Sequence, residues 1–324
     1  MSDHATPHCS LIIRAYNEEA HIGRLLSGVM QQTVADVEII LVDSGSTDAT
    51  VAIARQYPVE VVALRPEEFS FGRALNLGCE AARGDFLVFA SAHVYPIYQD
   101  WLAQLLAPFA EPDVVLSYGR QRGAPHSRYA ERQVFEKWYP ARSELRQRHP
   151  FANNANCAVR RWAWQALPYD EALTGLEDVD WAKRALAEGG ALAYVAEAEV
   201  VHVHDESAAQ IYRRYWREAL ALKRILPEER LPLHECVLLF GRNVIADAYH
   251  AWHDREPLWR LGEIAQYRLM QFAGTYRGLH HKGPVSNQTK ERFYYPKPLE
   301  RQGVVAAEEV SRPLVRYAAG PREA

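Results

Sequence analysis

The sequence predicts an α/β fold: a mainly parallel sheet with helices on both faces to about residue 205, then a helical extension over 206–324. Three observations predict it. Short apolar runs alternate with segments of helical spacing over the first ninety residues, as parallel strands joined by crossover helices do. Phe86–Ala90 is an uninterrupted apolar run behind an Arg83-Gly84-Asp85 turn signal, the pattern of a strand buried on both faces. After Pro227 the strand signals stop and helical spacing alone continues, over roughly 232–279.

Taken in order, Ser10–Ile13 is the first strand, and Ile22, Leu25, Leu26 and Val29 give Ala20–Gln32 a helical stripe. Val37–Val42 is the second strand. It ends in Asp43-Ser44-Gly45-Ser46-Thr47-Asp48, a turn with helix-capping residues, before a helix over Ala49–Gln56. Val59–Leu64, a helix over Gly72–Arg83 and the Phe86–Ala90 strand follow. Trp101–Phe109 reads as helix and Val114–Gly119 as strand, whereas Ala124–Pro150 shows little periodicity and reads as a long excursion. Asn156–Arg160 is a strand, Arg161–Leu167 a helix start, and Glu177–Glu188 a helix opened by acids, which its dipole favours. Ala191–Val195 and Glu199–His204 read as two short extended pieces. Ser207–Leu226 is an amphipathic helix with Ile211, Tyr215, Ala219, Leu222 and Leu226 on one stripe. The tail from His280 is rich in proline, glycine and charge.

The balance of 37 basic and 41 acidic residues gives a net charge of −4, which removes any electrostatic reason to expect nucleic-acid binding. Cys9, Cys79, Cys157 and Cys236 are far apart, so they read as buried free thiols of a reducing compartment. No apolar run approaches the ~18 residues of a membrane span. The opening MSDHATPHCS lacks a signal-peptide layout, so the cytoplasm is the expected location.

The chemistry gathers where strands end, because ligands of open α/β sheets bind beyond the carboxyl ends of the strands. Arg14, Tyr16 and Asn17 follow the first strand, Asp43 and Ser44 the second, and Ser91-Ala92-His93 the fourth. Arg73 and Asn76 stand one turn apart on a helix and face one ligand. His202 and His204 alternate on an extended segment and point to one face. Neutral imidazoles bind transition ions, and histidine also binds phosphate directly. Glu177 and Asp178 open a helix, where a carboxylate can take a proton from an attacking hydroxyl. Asn154 and Asn156 can hydrogen-bond sugar hydroxyls, and Trp181 can pack under a sugar face or support the loop.

In combination, SLIIRAYNEE (10–19), EIILVDSGSTDAT (38–50), GRALNLGCEAARGDFLVFASAH (72–93) and LEDVDWAKR (176–184) resemble the inverting glycosyltransferases of family 2. The match covers about residues 9–205. Val42–Asp48 and Phe69–Arg73 most resemble rhamnosyltransferase-like members of surface polysaccharide synthesis. The resemblance implies an A-type, Rossmann-like nucleotide-diphospho-sugar transferase fold. It also implies donor binding at Arg14, Tyr16, Asn17, Asp43, Ser44, Arg73, Asn76 and Ser91–His93. Asp178 becomes the base, Glu177 its companion, and Trp181, Asn154 and Asn156 the acceptor side. Ser91-Ala92-His93 occupies the family's Asp-x-Asp position, where a divalent cation (Mn²⁺ or Mg²⁺) holds the diphosphate. With neither acid present, His93, His202 and His204 are the candidate ligands. Two other departures are Ser44 at a second acid's place and Leu75 where an arginine is usual.

The expected reaction moves a hexosyl group from a nucleotide-diphosphate sugar to a sugar or glycolipid hydroxyl with inversion. A nucleotidyltransferase of related fold and a non-catalytic nucleotide-sugar binder are the alternatives. Arg213, Arg214, Arg217, Lys223 and Arg224 oppose the apolar stripe of 207–226, so this helix can dock peripherally on the inner face of a membrane that carries lipid-linked acceptors.

Overall fold

A computed structural model describes residues 8–280 and 312–317. β1 (Cys9–Ala15), β2 (Val37–Asp43), β3 (Val59–Ala63) and β4 (Phe86–Ser91) lie parallel in the order β3-β2-β1-β4. They are joined through α1 (Ile22–Val29), α2 (Thr50–Ala54) and α3 (Phe71–Ala81). Alternation along each strand divides its apolar side chains between the sheet's faces. Leu11, Ile13, Leu41 and Val88 meet α1 on one side, while Ile12, Ile40, Val42 and Phe89 meet α3 on the other.

Beyond β4 the sheet is mixed, which corrects the mainly parallel expectation for this half. The remaining elements are β5 (Val94–Pro96), α4 (Trp101–Leu106), β6 (Val114–Gly123), α5 (Tyr129–Trp138), β7 (Glu144–Gln147), β8 (Asn156–Arg160), α6 (Arg161–Ala166), α7 (Glu177–Ala187) and β9 (Ala191–His202). The full order is β3-β2-β1-β4-β8-β6-β9-β5, with β7 also on β9. β8 is antiparallel to both β4 and β6, whereas β6 and β9 are parallel. One rim therefore collects the carboxyl ends of β1, β2, β4 and β6 and the beginning of β8.

Two segments differ from their sequence reading. The 124–150 excursion contains α5 and β7; buried polar residues on α5, Glu131 and Gln133, mask its helical stripe. The two extended pieces 191–195 and 199–204 are one twelve-residue strand, β9, to residue 202.

α8 (Ala208–Ile225), α9 (Leu233–His253) and α10 (Arg260–Leu279) complete the described chain up to His280. Ser207 and Gln210 form a capping box that starts α8 where the sequence places it. α10 packs on α8, α9 and α5. Gly274 and Gly278 permit the close approach to α8, since a Cβ at either would come within 2.6 Å of α8 backbone oxygens. Among the described residues no helix is long and apolar enough to cross a membrane. Most of the tail, 281–311 and 318–324, lies outside the described residues; in its 312–317 piece Arg312 pairs with Asp100 at 2.7 Å.

The basic side of α8 makes contacts with the chain that precedes it, while Arg213, Arg217 and Arg224 stay exposed. Arg214 pairs with Glu131 and Glu206, Arg217 lies 4.5 Å over the Phe71 ring, and Arg224 pairs with Asp170. Of these cations only Arg214 is drawn into a largely buried ion-pair cluster.

Candidate active site

α7 begins abruptly. Leu176, just before it, holds φ +55°, a left-handed conformation costly for a side chain with a Cβ. That turn sets Glu177 and Asp178 at the first helical positions with both side chains buried. Glu177 Oε1 accepts from Arg14 Nη1 at 3.1 Å and from Asn154 Nδ2 at 3.5 Å. Asp178 Oδ2 accepts from the Asn154 amide at 3.1 Å and Oδ1 from the Val179 amide at 2.8 Å. Burial pushes the Asp178 carboxyl up to about 7, and the neighbouring Glu177 charge adds to the effect. A carboxylate poised near neutrality suits general-base work.

The opposite side of the rim is made of imidazoles. His93 follows β4, His202 ends β9 and His204 lies two residues beyond. Ring centroids are 4.9 Å apart for His93 and His202 and 4.1 Å for His202 and His204. Ring nitrogens of all three lie within 4.8 Å of one another. Each Nδ1 has an oxygen partner at 2.7 Å: Glu18 for His93, Gln121 for His202, Glu131 for His204. Among the described residues the buried Nε2 of His202 has no hydrogen-bond partner. Burial drives His202 and His204 well below the usual histidine range, reinforced by neighbouring imidazoles and Arg214. An orphaned buried nitrogen among two more imidazoles fits a metal ion, since buried polar atoms otherwise find partners.

The two sides share one rim and one network. The segment after β1 reaches both, through Arg14 to Glu177 and Glu18 to His93. From His202 the chain runs through Gln121, whose Nε2 donates to Asn153 Oδ1 at 3.1 Å, to Asn154 and Asp178.

Asp43 and Asn17 organise the loops after β1 and β2. Asp43 accepts from the Gly45 and Ser46 amides, and Asn17 (φ +55°) exchanges bonds with Ser46 and Thr47. Gly45 holds φ +87°, which only glycine adopts without strain. Tyr16 stands exposed beside these loops, while Ser44 is buried and its amide bonds Ala15. Ser91 is half-buried and Ala92 fully buried. Arg73 lies 3.5 Å from Glu171.

Three expected ligand-binding side chains are engaged elsewhere. Asn76 donates to Tyr169 O and Glu171 and accepts from Trp164 and Tyr169, so it ties α3 to the loop after α6. Asn156 is wholly buried, bonded to Trp101, Arg120 and Ala198. Trp181 is wholly buried, with Nε1 on Leu167 O, and supports α7 from beneath. Amide and indole groups fully bonded inside a core have no valence left for a sugar. Sequence reasoning missed Gln121 and Glu131; their only signal is a polar residue on an otherwise apolar strand or helix face.

A protein-family model described as Glycosyl transferase family 2 matches residues 10–165, a span that includes the loops after β1 and β2, His93 and Asn154. Residues 10–165 carry a glycosyltransferase family 2 domain. The chain is 28% identical over 223 residues to the O-antigen chain rhamnosyltransferase WbaN of Salmonella anatum, covering 65% of this chain and 70% of the relative. It is 24% identical over 313 residues to the putative glycosyltransferase EpsH of Bacillus subtilis, 94% and 85% of the two chains. Its fold is that of the mannosyltransferase PcManGT from Pyrobaculum calidifontis, solved with GDP-Man and Mn²⁺ (TM-score 0.60, 18% identity, 86% and 89% covered). S. aureus TarS residues 1–349 in complex with UDP share it too (TM-score 0.52, 17% identity, 81% and 90% covered). These matches support the glycosyltransferase reading over the two alternatives.

Proposed function

We propose that this glycosyltransferase moves a hexosyl group from a nucleotide-diphosphate sugar to a hydroxyl of a saccharide or lipid-linked saccharide, inverting the anomeric carbon, in surface polysaccharide synthesis. The observation that carries it is the pairing, around one rim, of a buried carboxyl raised to about 7 with three imidazoles whose ring nitrogens lie within 4.8 Å of one another. The rhamnosyltransferase and EpsH relatives support the polysaccharide context.

The donor's base and ribose lie against Tyr16, Asn17 and the Asp43-Ser44 turn, with its diphosphate at Ser91–His93 and Arg73 near its path. His93, His202 and His204 hold a divalent cation, which supplies charge neutralisation to the diphosphate when bound. The acceptor enters beside Asn154, and Asp178 removes its hydroxyl proton as oxygen attacks the anomeric carbon from the face opposite the leaving diphosphate. Glu177, held by Arg14, orients this side. The site faces the cytoplasm in this reading, with the lipid-linked acceptor brought to it.

Substitution Asp178→Asn tests the reading. It keeps the shape of the side chain but removes the base, and its single oxygen can accept from only one of the two backbone amides that Asp178 holds, so transfer falls ~100- to 10,000-fold while nucleotide-sugar binding persists. Retained turnover removes Asp178 from the mechanism.

A further inference from the structure

We infer that the three-histidine cluster is built for a nitrogen-preferring divalent ion of the zinc or cobalt class rather than for magnesium, and that Glu18, Gln121 and Glu131 are its positioning residues. The inference rests on the metal reading of the proposed function and deepens it.

Each of the three histidines gives its Nδ1 to an oxygen at 2.7 Å, from three separate parts of the chain. Glu18 lies in the loop after β1, Gln121 near the end of β6 and Glu131 in the first turn of α5. An ionised carboxylate only accepts, so Glu18 and Glu131 each accept a hydrogen bond from Nδ1–H, leaving Nε2 with its lone pair. The Gln121 orientation is fixed independently. Its Nε2 donates to Asn153 Oδ1, which in turn accepts from the Ala155 amide at 3.0 Å, so Oε1 is the end that faces His202. All three rings therefore present the same nitrogen, and for His202 that nitrogen is the buried one without a hydrogen-bond partner among the described residues. A carboxylate or amide behind each imidazole is how proteins orient metal-binding histidines and fix their tautomer.

Ligand chemistry decides the ion. Magnesium demands oxygen ligands and keeps most of its water, whereas imidazole nitrogens suit zinc and its neighbours. The Ser91-Ala92-His93 segment supplies no carboxylate, and the acids sit one bond further out. Three neutral ligands leave the ion's double charge undiminished for the donor diphosphate. They also leave a position open to it, as in zinc sites with three protein ligands.

The test is titration of the full chain with Co²⁺, Zn²⁺ and Mg²⁺ by calorimetry, with the Co²⁺ visible absorption as a second signal. One Co²⁺ is expected per chain, bound at least ~100-fold more tightly than Mg²⁺, with the intense bands of a low-coordinate nitrogen site. Gln121→Leu should weaken Co²⁺ binding ~10- to 100-fold and alter the bands, and Gln121→Glu, which keeps an acceptor, should restore both. Glu18→Leu, at a half-buried position outside the core, should act likewise if Gln121→Leu does not fold, with Glu18→Gln as its rescue. Mg²⁺ affinity within tenfold of Co²⁺ overturns the ion assignment. Co²⁺ binding unchanged in a folded Leu variant overturns the positioning role. Neither result depends on sugar transfer, so an inactive protein that binds Co²⁺ as described would fail the transferase reading alone.

Discussion

The two sides of the rim meet the same physical force with opposite results. Burial disfavours charge whatever its sign, so it raises the Asp178 carboxyl to about 7 and lowers the His202 and His204 imidazoles. On the acid side this produces a group that can gain or lose a proton near neutrality. On the imidazole side it keeps lone pairs free, where a protonated ring would repel a cation. A site that handles a hydroxyl proton and a diphosphate within one network thus needs no exotic residues, only carboxyls and imidazoles at comparable depth. The difference between the sides lies in what stands behind them: backbone amides behind Asp178, acceptor oxygens behind each histidine.

The strongest way to break the comparison is to delete one side and ask whether the other survives. His202→Ala should lower metal-supported nucleotide-sugar binding more than ~100-fold, while Asp178→Asn leaves that binding within a few-fold. Equal losses in both variants, by calorimetry with a nucleotide-sugar and Co²⁺, would mean that the two sides are not separate devices.

Stability offers the next largest effect. Because the folded carboxyl of Asp178 titrates near 7 and the unfolded one near 4, the folded state binds the extra proton between those values. Stability therefore falls as pH rises from about 4 to about 7, and it stays reduced above. Asp178→Asn lacks this charge and should exceed the parent in stability at pH 8, by as much as about 4 kcal/mol. The gap should close towards pH 4. Denaturant melts at the two pH values measure it, and a variant no more stable than the parent at pH 8 would show that the carboxyl carries no burial penalty.

How legible these sides were in the sequence follows from the range of the interactions that build them. β1 to β4 read clearly because each strand is a local apolar run and each crossover a local periodicity. The acids before Val179 and the three histidines were visible because their residue types are rare in such settings. The reversal of β8 was not visible, since it depends on where α5 and β7 return the chain to the rim. Asn156 and Asn76 read as ligand-binding amides, yet their partners Trp101 and Trp164 lie 55 and 88 residues away and make them core hydrogen-bond hubs. Glu131 was hidden for the same reason: a buried glutamate is intelligible only once His204 and Arg214 are seen against it.

The finest test addresses the coupling inside the acid side. Glu177 raises the Asp178 carboxyl through like charge, after burial, whereas Arg14 lowers it. In Glu177→Gln the like charge is gone and Arg14 loses its carboxylate partner, so both changes favour ionised Asp178. The acid limb of the kcat/KM profile, expected in the parent to rise through a value near 7, should move to lower pH in this variant, even though the maximum rate falls with the loss of an orienting group. Burial still acts, so the limb should stop above the ordinary aspartate range. A limb that stays in place would assign the whole shift to burial, and one that moves up would mean that the group being titrated is not Asp178.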